Sequence, residues 1–123
     1  MTIYIKTVDG FGILFDAEEE DCSMRQHFIK ECGWTESQYQ KIKNYAWFVA
    51  KVTAWKDGIE LAAEYLGGCC YEAVEDFYTK YKDDYLVDMI KEVVAQAKIK
   101  EGKSHDHDDP GLRALRLANR NTP

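Results

Sequence analysis

The stretch on which the predicted fold depends reads Tyr45-Ala46-Trp47-Phe48-Val49-Ala50-Lys51-Val52-Thr53-Ala54-Trp55. Lys51 is its only charged residue, so a helix formed by this stretch would be apolar nearly all round. Helices of that kind are normally central and buried. Thr35-Glu36-Ser37-Gln38 has the spacing of a capping box, and Gly58 is a stop signal. We therefore predict one long central helix over residues 36–57.

Apolar spacing and stop signals predict four more helices, over residues 17–32, 59–66, 69–82 and 84–99. In the last of them the apolar residues fall on one stripe of the helix: Leu86, Met89, Ile90, Val93, Val94 and Ala97. Short connections between helices favour antiparallel neighbours. The predicted fold class is α+β, mainly α: an N-terminal β-hairpin packed on a compact bundle of about five helices.

Residues 2–16 have the pattern of that hairpin. The first strand is rich in β-branched side chains, and Asp9-Gly10 is the favoured two-residue type I′ turn. A regular register places Tyr4 and Phe11 on the same face, and both faces of the hairpin are apolar. Because a lone hairpin is marginally stable, we expect helices to cover it on more than one side, or a second chain to extend it.

The composition changes at Lys100. A chain of 123 residues usually forms one domain, so residues 1–100 are predicted to be a single globular domain. Residues 101–109 read as a polar linker. Residues 110–123 read as a short C-terminal tail or helix that carries Arg113, Arg116 and Arg120.

Charge and cysteine usage exclude several classes of protein. A net charge of −6 and an isoelectric point near 5.0 argue against non-specific binding to nucleic acid or anionic membrane, both of which favour Lys and Arg. The sequence shows no transmembrane stretch and no signal-peptide pattern, so a cytoplasmic location is expected. The four cysteines are expected to be reduced and partly buried, because neither Cys69–Cys70 nor Cys22–Cys32 is placed to form a disulfide.

Metal and nucleophilic sites are each weakly indicated. The stretch His105-Asp106-His107-Asp108-Asp109 holds metal-ligating side chains, but a flexible linker does not preorganise them and a solvated turn explains them. His27 and Cys32 lie five residues apart on one predicted helix, which is a poor contact distance for a nucleophile and its base. We predict no metal site and no catalytic cysteine.

Carboxylate pairs one helical turn apart could support acid–base chemistry. The two pairs are Glu60 with Glu64 and Glu72 with Asp76. Such pairs more often form the solvated face of an amphipathic helix. We therefore predict no catalytic residue and no cofactor, and a small enzyme with a carboxylate site is kept as an alternative.

Elimination favours a non-enzymatic, acidic protein-binding module. The predicted partner-binding residues combine an acidic run with aromatic and basic side chains: Glu18, Glu19, Glu20, Asp21, Tyr4, Phe11, Arg113, Arg116 and Arg120. The acidic run also has a structural explanation, since acids in the first turn of a helix complement its dipole. The expected partner is a protein with a basic surface, and a homodimer is left open.

A sharper hypothesis is an inhibitor encoded by a phage or mobile element, of the anti-CRISPR or antirestriction type. Such a protein would occlude the nucleic-acid groove of a nuclease or defence complex. The alternative from another class is a small regulatory nucleic-acid-binding protein that uses the Arg-bearing tail. Apart from that tail, direct contact with nucleic acid is not expected.

Overall fold

In the computed structural model, residues 2–79 and 85–105 are described, the last three of these by their backbone alone. Four antiparallel strands form one sheet in which each strand pairs with its neighbour in sequence. The strands are β1 (Thr2–Val8), β2 (Phe11–Glu19), β3 (Ala46–Lys56) and β4 (Ile59–Tyr71). The helices are a π-helix (Gln26–Glu31), α1 (Glu36–Gln40), α2 (Glu75–Thr79) and α3 (Val87–His105).

The prediction of a mainly α bundle is wrong, because the apolar segment at residues 45–55 forms strand β3 and not a helix. An apolar run of this length has no period that separates a buried helix from a buried strand. Its many β-branched and aromatic side chains favour the strand. Its central position is as predicted, since β3 pairs with both β2 and β4, and Phe48 and Val52 are 3% and 0% exposed.

The predicted helix over residues 59–66 is also wrong, because these residues belong to strand β4. Asp57 and Gly58, expected to end a helix, form a hairpin turn with φ angles of 53° and 76°. Positive φ at both central residues is the signature of a type I′ turn. The helix-like spacing of the apolar residues in β4 arises because two register shifts against β3 interrupt its alternation.

The N-terminal hairpin is confirmed, and both residues of its Asp-Gly turn have positive φ (51° and 86°). Its register is not regular, because a β-bulge between Tyr4 and Lys6 shifts the pairing. Tyr4 consequently lies opposite Leu14. A shift of one residue moves a side chain to the other face of the sheet, so Tyr4 and Phe11 lie on opposite faces and not on the same one.

The remaining helices are shorter than predicted because strands occupy many of their residues. Strand β2 continues to Glu19, so the helix over residues 17–32 is reduced to the π-helix. The helix over residues 36–57 is reduced to the five residues of α1. Of the helix over residues 69–82, the described part contains α2 alone. Strand pairing on both edges of β3 and on β4 satisfies the backbone groups that those helices would have used.

The local signal for α1 is nevertheless accurate. The backbone N–H of Gln38 donates to Thr35 Oγ1 at 3.2 Å, and the Gln38 side chain accepts from the backbone N–H of Thr35 at 2.8 Å. This is the predicted capping box. An ion pair between Arg25 and Glu36 connects α1 to the residue before the π-helix.

Helix α3 covers one face of the sheet, which we term the inner face. Its buried stripe, together with Leu86 directly before its first residue, is the predicted one, with every member at most 8% exposed: Leu86, Met89, Ile90, Val93, Val94 and Ala97. It belongs to one core with the inward side chains of the central strands: Phe11, Ile13, Phe15, Phe48 and Val52. The ring of Phe77 in α2 stacks on that of Phe15 with centroids 5.4 Å apart. Each of the fully buried Val, Leu, Ile, Phe and Met side chains contributes about 1.5–3 kcal/mol to stability. In residues 2–79 and 85–105, no helix is long and apolar enough to cross a membrane.

Candidate functional site

The face of the sheet opposite α3, which we term the outer face, carries three rows of side chains that extend across all four strands. Residues directly opposite each other in paired strands point to the same side of a sheet, so the register defines the rows. They are Thr2-Asp16-Lys51-Tyr65, Tyr4-Leu14-Thr53-Ala63 and Thr7-Gly12-Trp55-Glu60. Each row crosses all four strands, and the middle row is the most apolar.

Polar groups on the outer face bond to one another. The indole Nε1 of Trp55 donates to Thr53 Oγ1 at 2.8 Å. The hydroxyls of Tyr4 and Thr7 share a hydrogen bond of 2.6 Å. The Trp55 N–H and one of the two hydroxyl hydrogens are therefore already bonded, so a molecule docking here has fewer donors to satisfy.

Large aromatic side chains of the outer face remain accessible to solvent. Tyr4 is 60% exposed and Tyr65 is 55% exposed, while Trp55 is half-buried. Lys51 Nζ lies 5.7 Å from the centroid of the Tyr65 ring and 3.8 Å from Glu18 Oε2. The outer face therefore combines exposed aromatic rings with the ion pair between Lys51 and Glu18 at one edge.

Coverage of the two faces differs. In residues 2–79 and 85–105, α3 is the helix in extensive contact with the strands, and it lies on the inner face. On the outer face, the π-helix reaches the corner at Trp47, where the rings of His27 and Phe28 lie 5.0 Å and 5.7 Å from the indole. The three rows lie beyond that corner.

The acidic run Glu18 to Asp21 ends strand β2 and does not begin a helix, so the helix-dipole explanation is wrong. Glu20 Oε2 accepts a hydrogen bond from the backbone N–H of Gly68 at 2.6 Å, which connects the end of β2 to β4. Glu20 thus has a structural role. Glu18, Glu19 and Asp21 are exposed and form an acidic rim at one end of the sheet.

The structure separates the other predicted partner-binding residues. Phe11 is 1% exposed and belongs to the core beneath α3, whereas Tyr4 lies on the outer face. Arg113, Arg116 and Arg120 lie outside the described residues. So do residues 106–109, and α3 continues to His105, into the stretch predicted as a linker. The expected absence of a metal site at residues 105–109 and the expected binding role of the basic tail remain predictions from sequence.

The carboxylates expected at helical spacing take separate positions, two of them in strand β4 and Asp76 in α2. Glu60 is exposed on the outer face. Glu64 accepts a hydrogen bond from Gln96 Nε2 of α3 at 2.7 Å, so it points to the inner face. The backbone N–H of Ala73 donates to Asp76 Oδ2 at 3.3 Å, at the start of α2. The predicted Glu60–Glu64 pair therefore does not converge.

The expectation that His27 and Cys32 are badly placed for contact is wrong. The backbone N–H of Cys32 donates to His27 O at 3.0 Å, which is the i+5 to i bond of a π-helix. Cys32 Sγ lies 3.6 Å from His27 Nε2. A five-residue spacing is unfavourable in an α-helix, but it is the contact spacing of the helix that forms here.

Two cysteines of β4 are unsuited to nucleophilic chemistry. Burial raises the pKa of the Cys69 thiol to about 11, and burial also raises the pKa of Cys70. A cysteine needs its thiolate to attack an electrophile. Both therefore behave as packing residues.

Sequence reasoning missed Trp55 and Tyr65 as surface residues. Asp-Gly between apolar runs is the strongest short-range hairpin signal, and residues 57–58 carry it as residues 9–10 do. Applied there, it would have placed both side chains on paired strands. Comparison of the chain with protein-family models, with curated proteins and with solved structures finds no match.

Proposed function

We propose that the protein is a non-enzymatic protein-binding module whose partner docks on the outer face of the sheet. The observation that carries this proposal is the position of Tyr4, Trp55 and Tyr65 on one face while α3 packs on the other. Tyr and Trp are among the residues that contribute most to protein–protein interfaces. The internal hydrogen bonds of the face reduce the desolvation that binding requires.

The size of the outer face implies that the partner contacts more than the three rows. Strands about 4.8 Å apart and rows about 6.8 Å apart give a surface of roughly 19 Å by 20 Å, on the order of 400 Å². A stable interface buries about 800 Å² on each partner. The remainder has to come from adjoining surface, and at the end of β2 that surface is the acidic rim of Glu18, Glu19 and Asp21.

The acidic rim and the chain's net charge of −6 favour a partner with a basic surface. Complementary charge increases the rate of association and selects against acidic partners. Proteins that bind nucleic acid present such surfaces. The proposal therefore extends to inhibition: the module covers a basic groove of a nuclease or related complex and excludes the nucleic acid.

A photo-crosslinking pair tests which face binds. A photoreactive amino acid replaces Tyr65 on the outer face in one protein and Ile99 on α3 in the matched control, because these residues are 55% and 61% exposed. Crosslinking in the native host is followed by mass determination of the adduct. We expect the Tyr65 probe, and not the Ile99 probe, to give one defined adduct with a basic protein. Equal labelling by both probes, an adduct with nucleic acid, or self-adducts alone would each refute the proposal.

Affinity for the captured partner then separates aromatic from charged contributions. Tyr65→Ala is expected to weaken binding by roughly 30-fold, the effect of removing about 2 kcal/mol at a hot spot. Neutralising Glu18, Glu19 and Asp21 together should weaken binding at low salt and flatten its salt dependence. Glu20 is left intact because it bonds to β4. If this triple variant binds as the wild type does, the acidic rim is not part of the interface.

A further inference from the structure

Three metal-ligating side chains meet beside the π-helix, away from the three rows of the outer face. Cys22 Sγ, a ring nitrogen of His27 and a carboxylate oxygen of Glu31 all lie within 4.8 Å of one another. Zinc bonds of about 2.3 Å to sulfur and about 2.0 Å to nitrogen place tetrahedral ligands about 3.5 Å apart. Small side-chain rotations therefore suffice to bring these atoms to a common ion.

The π-helix and strand β3 fix the backbone at this cluster. Glu31 is one turn from His27, and its Oε1 lies 3.8 Å from His27 Nδ1. Cys22 follows the acidic run, and its carbonyl oxygen accepts a hydrogen bond from Trp47 Nε1 at 2.7 Å. The imidazole also lies against the Trp47 ring, with centroids 5.0 Å apart. Trp47 of strand β3 thereby contacts both the loop that carries Cys22 and the π-helix that carries His27.

The two nitrogens of His27 face different groups. Nδ1 faces Glu31, and Nε2 lies 3.6 Å from Cys32 Sγ. Metal-bound histidines usually donate their second ring N–H to an acceptor, which fixes the tautomer. Cys32 Sγ is placed to accept a hydrogen bond from that ring N–H, so Cys32 orients His27 as a ligand and is not itself a ligand.

The surroundings of Cys22 are negatively charged. The carboxylate of Glu31 belongs to the cluster itself, and Glu20 and Asp21 directly precede Cys22 in the chain. The same negative charges attract a cation, and a bound metal ion stabilises the thiolate.

We propose that Cys22, His27 and Glu31 form a binding site for a zinc-class divalent cation, held by Cys22 Sγ, His27 Nδ1 and a Glu31 oxygen. The donor set of thiolate, imidazole and carboxylate suits zinc. Three protein ligands leave one tetrahedral position to solvent. Binding connects the end of β2 to the π-helix and so restrains the loop between them. This site is independent of the proposed protein-binding role of the outer face.

Cobalt(II) titration of the full chain tests the site, because cobalt replaces zinc and a thiolate ligand gives a charge-transfer band in the near ultraviolet. We expect the wild type to show this band and zinc to remove it by displacement. Cys22→Ser should abolish the band, whereas Cys70→Ser, a change at a half-buried thiol of β4, should retain it. Far-ultraviolet circular dichroism of each variant verifies that it is folded.

Further variants assign the remaining ligands. His27→Gln and Glu31→Gln should each lower zinc affinity in calorimetry by more than about tenfold, since even supporting partners of a ligand change affinity roughly 10- to 100-fold. The double variant His105→Ala, His107→Ala should bind zinc as the wild type does. The proposal is refuted if the wild type gives no charge-transfer band, if the band survives in Cys22→Ser, or if it disappears in the His105/His107 variant.

Discussion

Val52→Ala and Val49→Ala make the same chemical change three residues apart in β3, on opposite faces of the sheet. Val52 is 0% exposed on the inner face, and Val49 is half-buried on the outer face. In a helix, positions three apart lie on the same side. The pair of variants therefore distinguishes the strand from the helix that the apolar run first suggests.

The expected losses follow from burial. Each variant removes two carbon atoms, which at about 0.8 kcal/mol per buried methylene is about 1.6 kcal/mol at full burial. The cavity left beside α3 raises the loss at Val52 to about 2–2.5 kcal/mol. The loss at Val49 is about 0.8 kcal/mol, because half of the side chain is already in water. The change in strand propensity is the same in both variants and cancels in their difference.

Urea unfolding followed by tryptophan fluorescence measures this difference. With an m-value of about 1.5 kcal/mol/M, Val52→Ala should lower the midpoint by about 1.5 M and Val49→Ala by about 0.5 M. The m-value should stay constant, so that the midpoints report stability alone. Midpoints for the two variants that agree within about 0.2 M would refute the assignment of the two faces.

Three further outcomes are expected. Gly58→Ala should lower stability by about 1 kcal/mol, because the φ of 76° at this residue suits glycine. Gly102→Ala, in open space on α3, should instead raise stability by about 0.5 kcal/mol. Equal urea midpoints for the two variants would contradict this expectation. Thiol labelling of the native protein at pH 8 should modify exposed Cys32 well before buried Cys69, as peptide mass mapping can determine. Folding raises the Cys69 pKa from 9.0 to about 11. The contribution of Cys69 to stability is therefore complete below pH 9 and decreases by about 1 kcal/mol at pH 10. The difference in unfolding free energy between the wild type and Cys69→Ala should be smaller at pH 10 by that amount.

The parts of the fold that sequence predicts are those with a strong local signal. Helix α3 has a clean apolar stripe, so its buried residues were identified one by one. The capping box at Thr35 marks the start of α1 correctly. The first Asp-Gly turn marks the hairpin between β1 and β2. In each case the residues that create the signal are neighbours in the chain.

The parts that sequence misses depend on pairing between distant residues. Strand β3 is apolar on its inner face because α3 covers it, and Trp47, Val49 and Trp55 make its outer face largely apolar as well, so no period in its own sequence reveals a strand. The bulge beside Tyr4 reverses the face of this side chain, and only the register against β2 shows it. The face of Tyr65 likewise depends on its register opposite Lys51 in β3, which follows only once the Asp57-Gly58 turn is interpreted as a hairpin.

The cluster at Cys22, His27 and Glu31 was missed for a geometric reason. In the predicted α-helix, His27 and Cys32 are badly placed for contact. The π-helix changes that spacing, and Cys22 enters from the loop after a strand that was predicted to be helical. A donor set of this kind becomes visible only when the helix type and the end of β2 are both known.

Because α3 follows all four strands in the sequence, protein synthesis completes the sheet before it supplies the helix that covers its inner face. At roughly 5–20 residues per second, the ribosome needs about 2–7 s to pass from the end of β4 to the end of α3, whereas β-hairpins form within microseconds. For those seconds the nascent chain presents Phe15 and its inner-face neighbours to water, and we expect nascent-chain chaperones to bind there. A premature stop codon between Tyr71 and Val87 would leave that surface permanently exposed to solvent. The truncated product should therefore aggregate even though every strand is intact.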